Sequence, residues 1–208
     1  MSKPEIQTRV VHAAFVAGAV DSLQLPPPTV VEVAFAGRSN VGKSSLLNTL
    51  MQRKGLVRTS NTPGCTRQLN VFEVRCADGL NLNFVDLPGY GWAKRSKAEK
   101  SQWQGMIEGY LRRRAGLRAV AVLVDVRRGV EEEERQLVDF LRGPREASGA
   151  IEIILVATKV DKVGAAGKKP ALEVVRTKAG VKPIGFSAVT GDGYEELWAR
   201  IRWAVLGK

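Results

Sequence analysis

The sequence predicts a three-layer α/β fold: a mostly parallel six-stranded sheet with one antiparallel strand and helices on both faces. Three observations predict it. Short β-branched apolar runs alternate with segments whose apolar residues recur at helical spacing. One brief connection, Asp78-Gly79, carries a hairpin signal and makes a single strand pair antiparallel. A length of 208 residues suits one domain with a sizeable core better than two.

The elements follow in order. Residues 1–29 read as an N-terminal extension packing on a domain that spans 30–208. Within the extension, residues 10–20 (VVHAAFVAGAV) sit behind Lys3 and Arg9. The run is too short to cross a bilayer and holds a histidine and a glycine, so it reads as a strand or short helix laid against the domain, with His12 a core-edge residue. After the Pro26–Pro28 break, residues 30–36 form a buried-type strand ending at Gly37, and residues 45–52, with leucines at 46, 47 and 50, read as a helix. Residues 53–68 are polar, with Gly55, Pro63 and Gly64, and form a loop. Strands 69–76 and 80–86 make the hairpin. Helix 97–115, strand 118–125, helix 131–141, strand 150–157, a short helix near 170–179, strand 181–186 and an amphipathic helix 194–206 complete the chain.

With 44% hydrophobic and 25% charged residues, the composition is that of a soluble globular protein and excludes disorder as the main state. The net charge of +11 favours a polyanionic partner such as RNA or a membrane surface. Two cysteines, Cys65 and Cys76, and the single His12 leave little material for a zinc site and fit a reducing cytoplasm.

Between the first strand and first helix, Gly37-Arg38-Ser39-Asn40-Val41-Gly42-Lys43-Ser44 matches GxxxxGK[ST], the P-loop pattern, in the context it requires. Glycines let successive backbone N–H groups turn inward, and the helix N-terminus favours anions. Lys43 is placed to reach the β- and γ-phosphates, Ser44 to hold Mg²⁺ and Ser45 to sit near the α-phosphate. The chain is therefore a P-loop NTPase by pattern. Asp86-Leu87-Pro88-Gly89 ends a strand, where the carboxylate serves the Mg²⁺ shell through water and the Gly89 N–H meets the γ-phosphate.

Two further strand ends choose the base. Thr158-Lys159-Val160-Asp161 resembles the [NT]KxD element of GTPases. The Asp161 carboxylate accepts guanine N1–H and the 2-amino group, whereas adenine would leave it desolvated and unpaired, a difference worth roughly 10⁴-fold or more. Lys159 lies along the base and Thr158 steadies the loop. Phe186-Ser187-Ala188 resembles the SA element whose backbone N–H meets guanine O6. Guanine nucleotide is the expected ligand.

Taken together, GRSNVGKSS, TSNTPGCT, DLPGYGWAK, TKVDK and FSA, in this order over about residues 30–206, resemble the EngB (YihA/YsxC) family of bacterial GTPases, in the branch with TrmE, Era and EngA. The resemblance implies a Ras-like fold, GTP/GDP and Mg²⁺ binding, slow GTP hydrolysis and a role in large ribosomal subunit assembly, with loss affecting cell division and septation. It implies contact with the subunit or its precursor through rRNA and ribosomal proteins, in a cytoplasmic monomer with no membrane or DNA partner. It places Thr66 as the switch I threonine that joins Ser44 on Mg²⁺, and counts Lys43, Thr66, Gly89 and Asn40 as catalytic. The segment Gly64-Cys65-Thr66-Arg67-Gln68 departs from the family's usual TPGRTQ or TPGKTQ: Cys65 replaces a basic residue and Arg67 stands where glutamine is usual.

Tyr90 occupies the position where Ras-like enzymes carry the glutamine that orients water, so intrinsic hydrolysis is expected to be no faster than about 10⁻³ per second. In related members an asparagine at the position of Asn40 helps hold K⁺ beside the phosphates, which makes K⁺ a second expected cation. Arg58 and Arg67 are weaker candidates for charge donated in cis. Basic groups at Lys94, Arg95 and Lys97, at Arg112–Arg114 with Arg118, at Arg127 and Arg128, and at Lys168 and Lys169 are candidate rRNA contacts, with Trp92 as a base-stacking candidate. Glu131–Glu134 reads as acids favouring a helix N-terminus. A GTPase in another pathway and a nucleotide-independent RNA-binding scaffold remain as alternatives.

Overall fold

A computed structural model describes residues 8–58, 68–90, 97–147 and 149–207. Its strands are β1 Val10–Ala19, β2 Glu32–Gly37, β3 Leu69–Cys76, β4 Asn81–Asp86, β5 Leu117–Asp125, β6 Glu152–Thr158 and β7 Ile184–Phe186. The α-helices are α1 Lys43–Leu50, α2 Lys97–Arg113, α3 Glu132–Arg142, α4 Ala165–Ala179 and α5 Tyr194–Leu206. The strands form one seven-stranded sheet in the order β1-β3-β4-β2-β5-β6-β7. Only β3 runs against the rest: it pairs antiparallel with β4 across the Asp78-Gly79 turn and with β1 on its other side, and every other pairing is parallel.

The sheet has one strand more than the expected six. The seventh is β1, so the run at 10–19 is a strand and pairs directly with β3 rather than only packing on the domain. It lies at the sheet edge, and its register against β3 shifts twice, between Val10 and His12 and between Phe15 and Ala17. His12 there is exposed, 3.7 Å from the Glu73 carboxylate.

Period-two alternation along the central strands splits the core into two halves. On one face Val33 and Phe35 of β2 and Ala119, Ala121 and Leu123 of β5 pack with Leu46, Leu47 and Leu50 of α1 and Leu197, Trp198 and Ile201 of α5. On the other, Ala34 and Ala36 of β2 and Val120, Val122 and Val124 of β5 meet Tyr110 and Leu111 of α2, Val138 of α3 and Val175 of α4. Buried on both faces, these strands read as continuous apolar runs, which is why their pattern is visible in the sequence.

Two boundaries differ from expectation by three residues or more, both through proline. Helix α4 begins five residues before Pro170, because a single missing N–H near a helix start breaks only one intrahelical bond. Strand β7 pairs only over its three residues, since Pro183 just before it has no donor for the ladder. At the foot of the sheet the fully buried Glu32 accepts two bonds from Arg114, at 2.7 and 2.8 Å, and one from the Tyr110 hydroxyl at 2.9 Å, which ties the end of α2 to the start of β2. Among the described residues, no helix is long and apolar enough to cross a membrane.

Candidate functional site

The site is built at the carboxyl ends of β2, β4, β5, β6 and β7, where loops of an open α/β sheet converge. Its phosphate end is shaped by backbone. Gly37 ends β2 where a Cβ would come within 2.8 Å of Val41 Cγ1 and 3.1 Å of Leu123 Cβ, so only glycine lets the loop fold back on the sheet. Asn40 and Gly42 both take left-handed backbone, at φ 64° and 106°, and Gly42 opens α1 as its N-cap without a side-chain bond. The first-turn N–H groups of α1 are thereby left facing the loop's concave side.

The loop after β4 is stitched to this cradle. Leu87 N donates to Phe35 O at 3.0 Å, Ser39 N to Tyr90 O at 3.2 Å and Tyr90 N to Gly37 O at 3.4 Å. Gly89 lies so close that a Cβ would be 3.1 Å from Ser39 Oγ. Leu87 and Pro88 are buried beneath it. Lys43 Nζ and Asp86 Oδ1 form an ion pair with side chains only 8% and 1% exposed. Asp86 Oδ2 is buried with no hydrogen-bond partner among the described residues. Ser44 is half-buried beside Lys43 at the start of α1, and Ser45 is exposed.

The base end is held by side chains. The buried Thr158 hydroxyl lies 2.7 Å from Val41 O and 3.0 Å from Val124 O, sharing its proton between the P-loop and β5. Lys159, in left-handed backbone at φ 61°, donates from Nζ to Asn40 O at 2.6 Å and pairs with Asp125 Oδ2 at 3.0 Å. Val160 is buried, and Asp161 accepts a bond from the fully buried Ser187 Oγ at 2.7 Å, with Lys162 3.4 Å away. The Ser187 bond, with smaller contributions from backbone hydrogen bonding and Lys162, holds the Asp161 carboxyl below the usual carboxylate range. Ser187 Oγ also accepts from Val189 N and Thr190 N, which rigidifies the turn carrying the exposed Ala188 behind the buried Phe186.

A family model described as 50S ribosome-binding GTPase matches residues 32–159, from the first strand of the domain to the base loop. A probable GTP-binding protein EngB of Geobacter metallireducens is 43% identical over 196 residues, 93% of this chain and 92% of that protein. The chain belongs to the EngB family of GTPases. A crystal structure of a probable EngB covers 86% of this chain and all of its own, at 25% identity and a TM-score of 0.65. A variant of Era from Aquifex aeolicus, in a crystal structure bound to GDP.AlF4-, shares the fold at 24% identity and a TM-score of 0.69, over 85% of this chain and 57% of its own.

As an EngB-family protein the chain is a P-loop GTP hydrolase, and the expected GxxxxGKS, DxPG, TKxD and SA elements come together on one rim of the sheet. Gly64, Cys65, Thr66, Arg67, Trp92, Lys94 and Arg95 lie outside the described residues. Gln68 is described: its side-chain amide donates to Asn70 Oδ1 at 3.0 Å, at the entry to β3. Most of the described basic groups expected to face RNA are engaged within the protein: Arg128 lies 4.0 Å from Glu131, Arg112 donates to Pro144 O at 3.2 Å and Arg118 to Ala115 O at 2.9 Å. Arg114 pairs with buried Glu32, Arg127 with Asp125, and Lys168 with Asp192 at 2.8 Å.

The structure adds contacts that the EngB-type motifs did not mark. Arg38 pairs with Glu131, and with Glu133 at 3.1 Å, tying the P-loop to the start of α3. Glu131 and Glu134 form the helix's capping box, so the acidic run is a helix start as expected and an anchor besides. A cleft of about 230 Å³ lies behind the P-loop, lined in part by Arg38, Asn40, Asp125, Arg127, Glu134 and Lys159. Asp125 came through only as the last residue of an apolar run, with no motif to single it out.

Proposed function

We propose that this GTP hydrolase is a slow, nucleotide-gated switch acting in assembly of the large ribosomal subunit. The observation that carries the nucleotide half is the convergence of Lys43, Asp86, Asp161 and Ser187 on one rim of the sheet. The ribosomal half is supported by the family description, 50S ribosome-binding GTPase, and by the +11 charge, which suits an rRNA partner. Action as a cytoplasmic monomer, without a membrane or DNA partner, and a requirement in cell division and septation belong to the same reading.

In this reading Lys43 turns its charge from Asp86 to the β- and γ-phosphates, while N–H groups of the loop 37–45 enclose the phosphate oxygens. The buried, unsatisfied Asp86 Oδ2 fits a carboxylate that supports a hydrated cation, so Asp86 through water and Ser44 directly would hold Mg²⁺, with Thr66 as a further ligand. Bound there with the nucleotide, Mg²⁺ supplies neutralisation of charge on the transferring phosphoryl group. Gly89 offers its N–H to the γ-phosphate, Asp161 selects guanine, Lys159 lies along the base and the Ala188 N–H meets O6.

Slow turnover follows from Tyr90. Tyr90 is 8% exposed, and burial, then the facing Glu134 carboxylate, push its phenol well above the usual range. The phenol stays protonated at neutral pH and is packed in the core, so it does not position water as a glutamine would. Asn40, exposed at the loop tip, is the residue through which K⁺ would add charge beside the phosphates. Sedimentation with ribosomal subunits at fixed salt tests the switch: association is expected with a non-hydrolysable GTP analogue and to be weaker with GDP. Equal association in both states removes it. Turnover is expected to be higher in KCl than in NaCl and to lose that difference in Asn40→Ala.

A further inference from the structure

Asp125 is the last residue of β5 and stands in register beside Thr158, the last residue of β6, so its side chain reaches the base loop by strand pairing alone. The turn that follows returns on itself: Arg128 N and Gly129 N both donate to Asp125 O, at 2.9 and 3.0 Å, with Gly129 at φ 74°. That turn brings Arg127 back over the Asp125 carboxylate, with Arg127 N and Nε 3.1 and 2.9 Å from Oδ1 and an Arg127 terminal nitrogen 2.7 Å from Oδ2. Burial opposes ionisation of Asp125, but the bonds from Arg127 and Lys159 outweigh it and hold the carboxyl well below the usual range. The carboxylate is thus charged, and Arg127 holds it from one side while Lys159 meets it from the other.

Lys159 Nζ sits between this carboxylate and Asn40 O, at 3.0 and 2.6 Å. Of the three non-glycine residues with left-handed backbone among those described, two are Asn40 and Lys159, joined to each other by that single bond. Backbone in this region is held only where surroundings over-determine it. The stem of Lys159 crosses Gly42, where a Cβ would lie 3.7 Å from Lys159 Cε. One ammonium therefore links the phosphate loop to the base loop, and its position is set from below.

We propose that Asp125, oriented by Arg127, is a positioning residue for nucleotide affinity: it fixes the Lys159 ammonium against Asn40 O so that the lysine stem lies where the guanine face and the P-loop meet. The inference rests on the GTP-site reading above and assigns a role to a residue outside its motifs. Neutralising the ammonium also leaves the stem, rather than a bare charge, as the surface offered to the base.

Titration of fluorescent GDP against wild type, Asp125→Ala, Lys159→Ala and the double variant tests it, alongside the melting temperature of each without nucleotide. Asp125→Ala is expected to weaken GDP about tenfold and to add no further loss in the Lys159→Ala background, the non-additivity of two groups acting as one unit. Asp125→Asn, which keeps an acceptor but not the charge, is expected to recover part of that loss, and Arg127→Ala to show a smaller weakening of the same kind. Equal losses from Asp125→Ala in both backgrounds would assign Asp125 a general structural role, and unchanged GDP affinity in Asp125→Ala would remove the proposal outright. Failure of the wild-type protein to bind GDP would instead overturn the GTP-site reading on which it rests.

Discussion

The two ends of the candidate site are built by different means. At the phosphate end the shape is made by backbone: Gly37 cannot take a Cβ, Gly42 needs left-handed backbone, and one buried ion pair, Lys43 with Asp86, supplies the charge. At the base end ordinary strand ends present side chains that hold one another, Ser187 on Asp161, Asp125 on Lys159, and Thr158 across to Val41 O. A backbone-built end should fail sharply when one atom is added or one charge removed. A side-chain-built end should fail by degrees.

The sharpest break is expected from Lys43→Ala. It leaves Asp86, 1% exposed, without its cation, and stranding one member of a buried pair costs about 3–5 kcal/mol. Chemical denaturation should show that loss, and GDP should no longer raise the melting temperature. A variant as stable as wild type would mean that Asp86 relaxes to water and that the phosphate end is softer than its burial implies. Gly37→Ala comes next, at about 1–3 kcal/mol, because the new methyl group meets Val41 and Leu123 in a packed core.

The link between the ends should be intermediate. Thr158→Val keeps the shape but takes a donor from Val41 O and Val124 O, and unsatisfied buried groups cost about 1–3 kcal/mol. If both phosphate and base affinity fall together, the two ends are one mechanical unit. If only stability falls, they are neighbours.

The base end also carries a pH signature. The folded Asp161 carboxyl is lowered, chiefly by Ser187, so its contribution is complete above the ordinary carboxylate value and is lost only as pH falls through the lower folded value. Ser187→Ala removes the largest lowering cause. The acid limb of GDP binding should then move up toward about pH 4, the ordinary aspartate value, while neutral-pH binding weakens modestly. A limb that does not move would show that Asp161 is set by something other than Ser187.

The same contrast explains what was legible in the sequence. The phosphate end is written as glycine spacing between a strand and a helix, a constraint local in the chain, so Gly37 to Ser44 could be read directly. Asp86 could be read because it closes an apolar strand run, and Asp161 and Ser187 because TKVD and SA resemble GTPase elements that follow strands. Asp125 also closes such a run, yet its partners Arg127 and Lys159 gain meaning only when β5 and β6 are seen side by side. The edge strand β1 reads from the sequence as a strand or short helix laid against the domain but not as a seventh strand of the sheet, since its pairing with β3 joins residues fifty or more positions apart. The sequence marks Arg38 as a nucleotide-loop residue, whereas its acids lie 93 and 95 residues further on.

That last contact sets the smallest prediction and bears most directly on the contrast. Arg38 ties the phosphate loop to α3, yet its side chain is 21% exposed and those of Glu131 and Glu133 are 38% and 45% exposed, so water competes with the pairs and salt screens them. Arg38→Ala should cost no more than about 1 kcal/mol, and its difference from wild type should shrink between 0.1 and about 1 M salt, where the screening length falls from about 10 Å to about 3 Å. GDP affinity should stay near wild type, because the loop's shape is kept by Gly37, by the Ser39 and Tyr90 backbone bonds and by Gly42, none of which needs the guanidinium. A salt-insensitive loss well above 2 kcal/mol, or a matching loss of GDP affinity, would place the phosphate end among the parts held by side chains and end the distinction between the two.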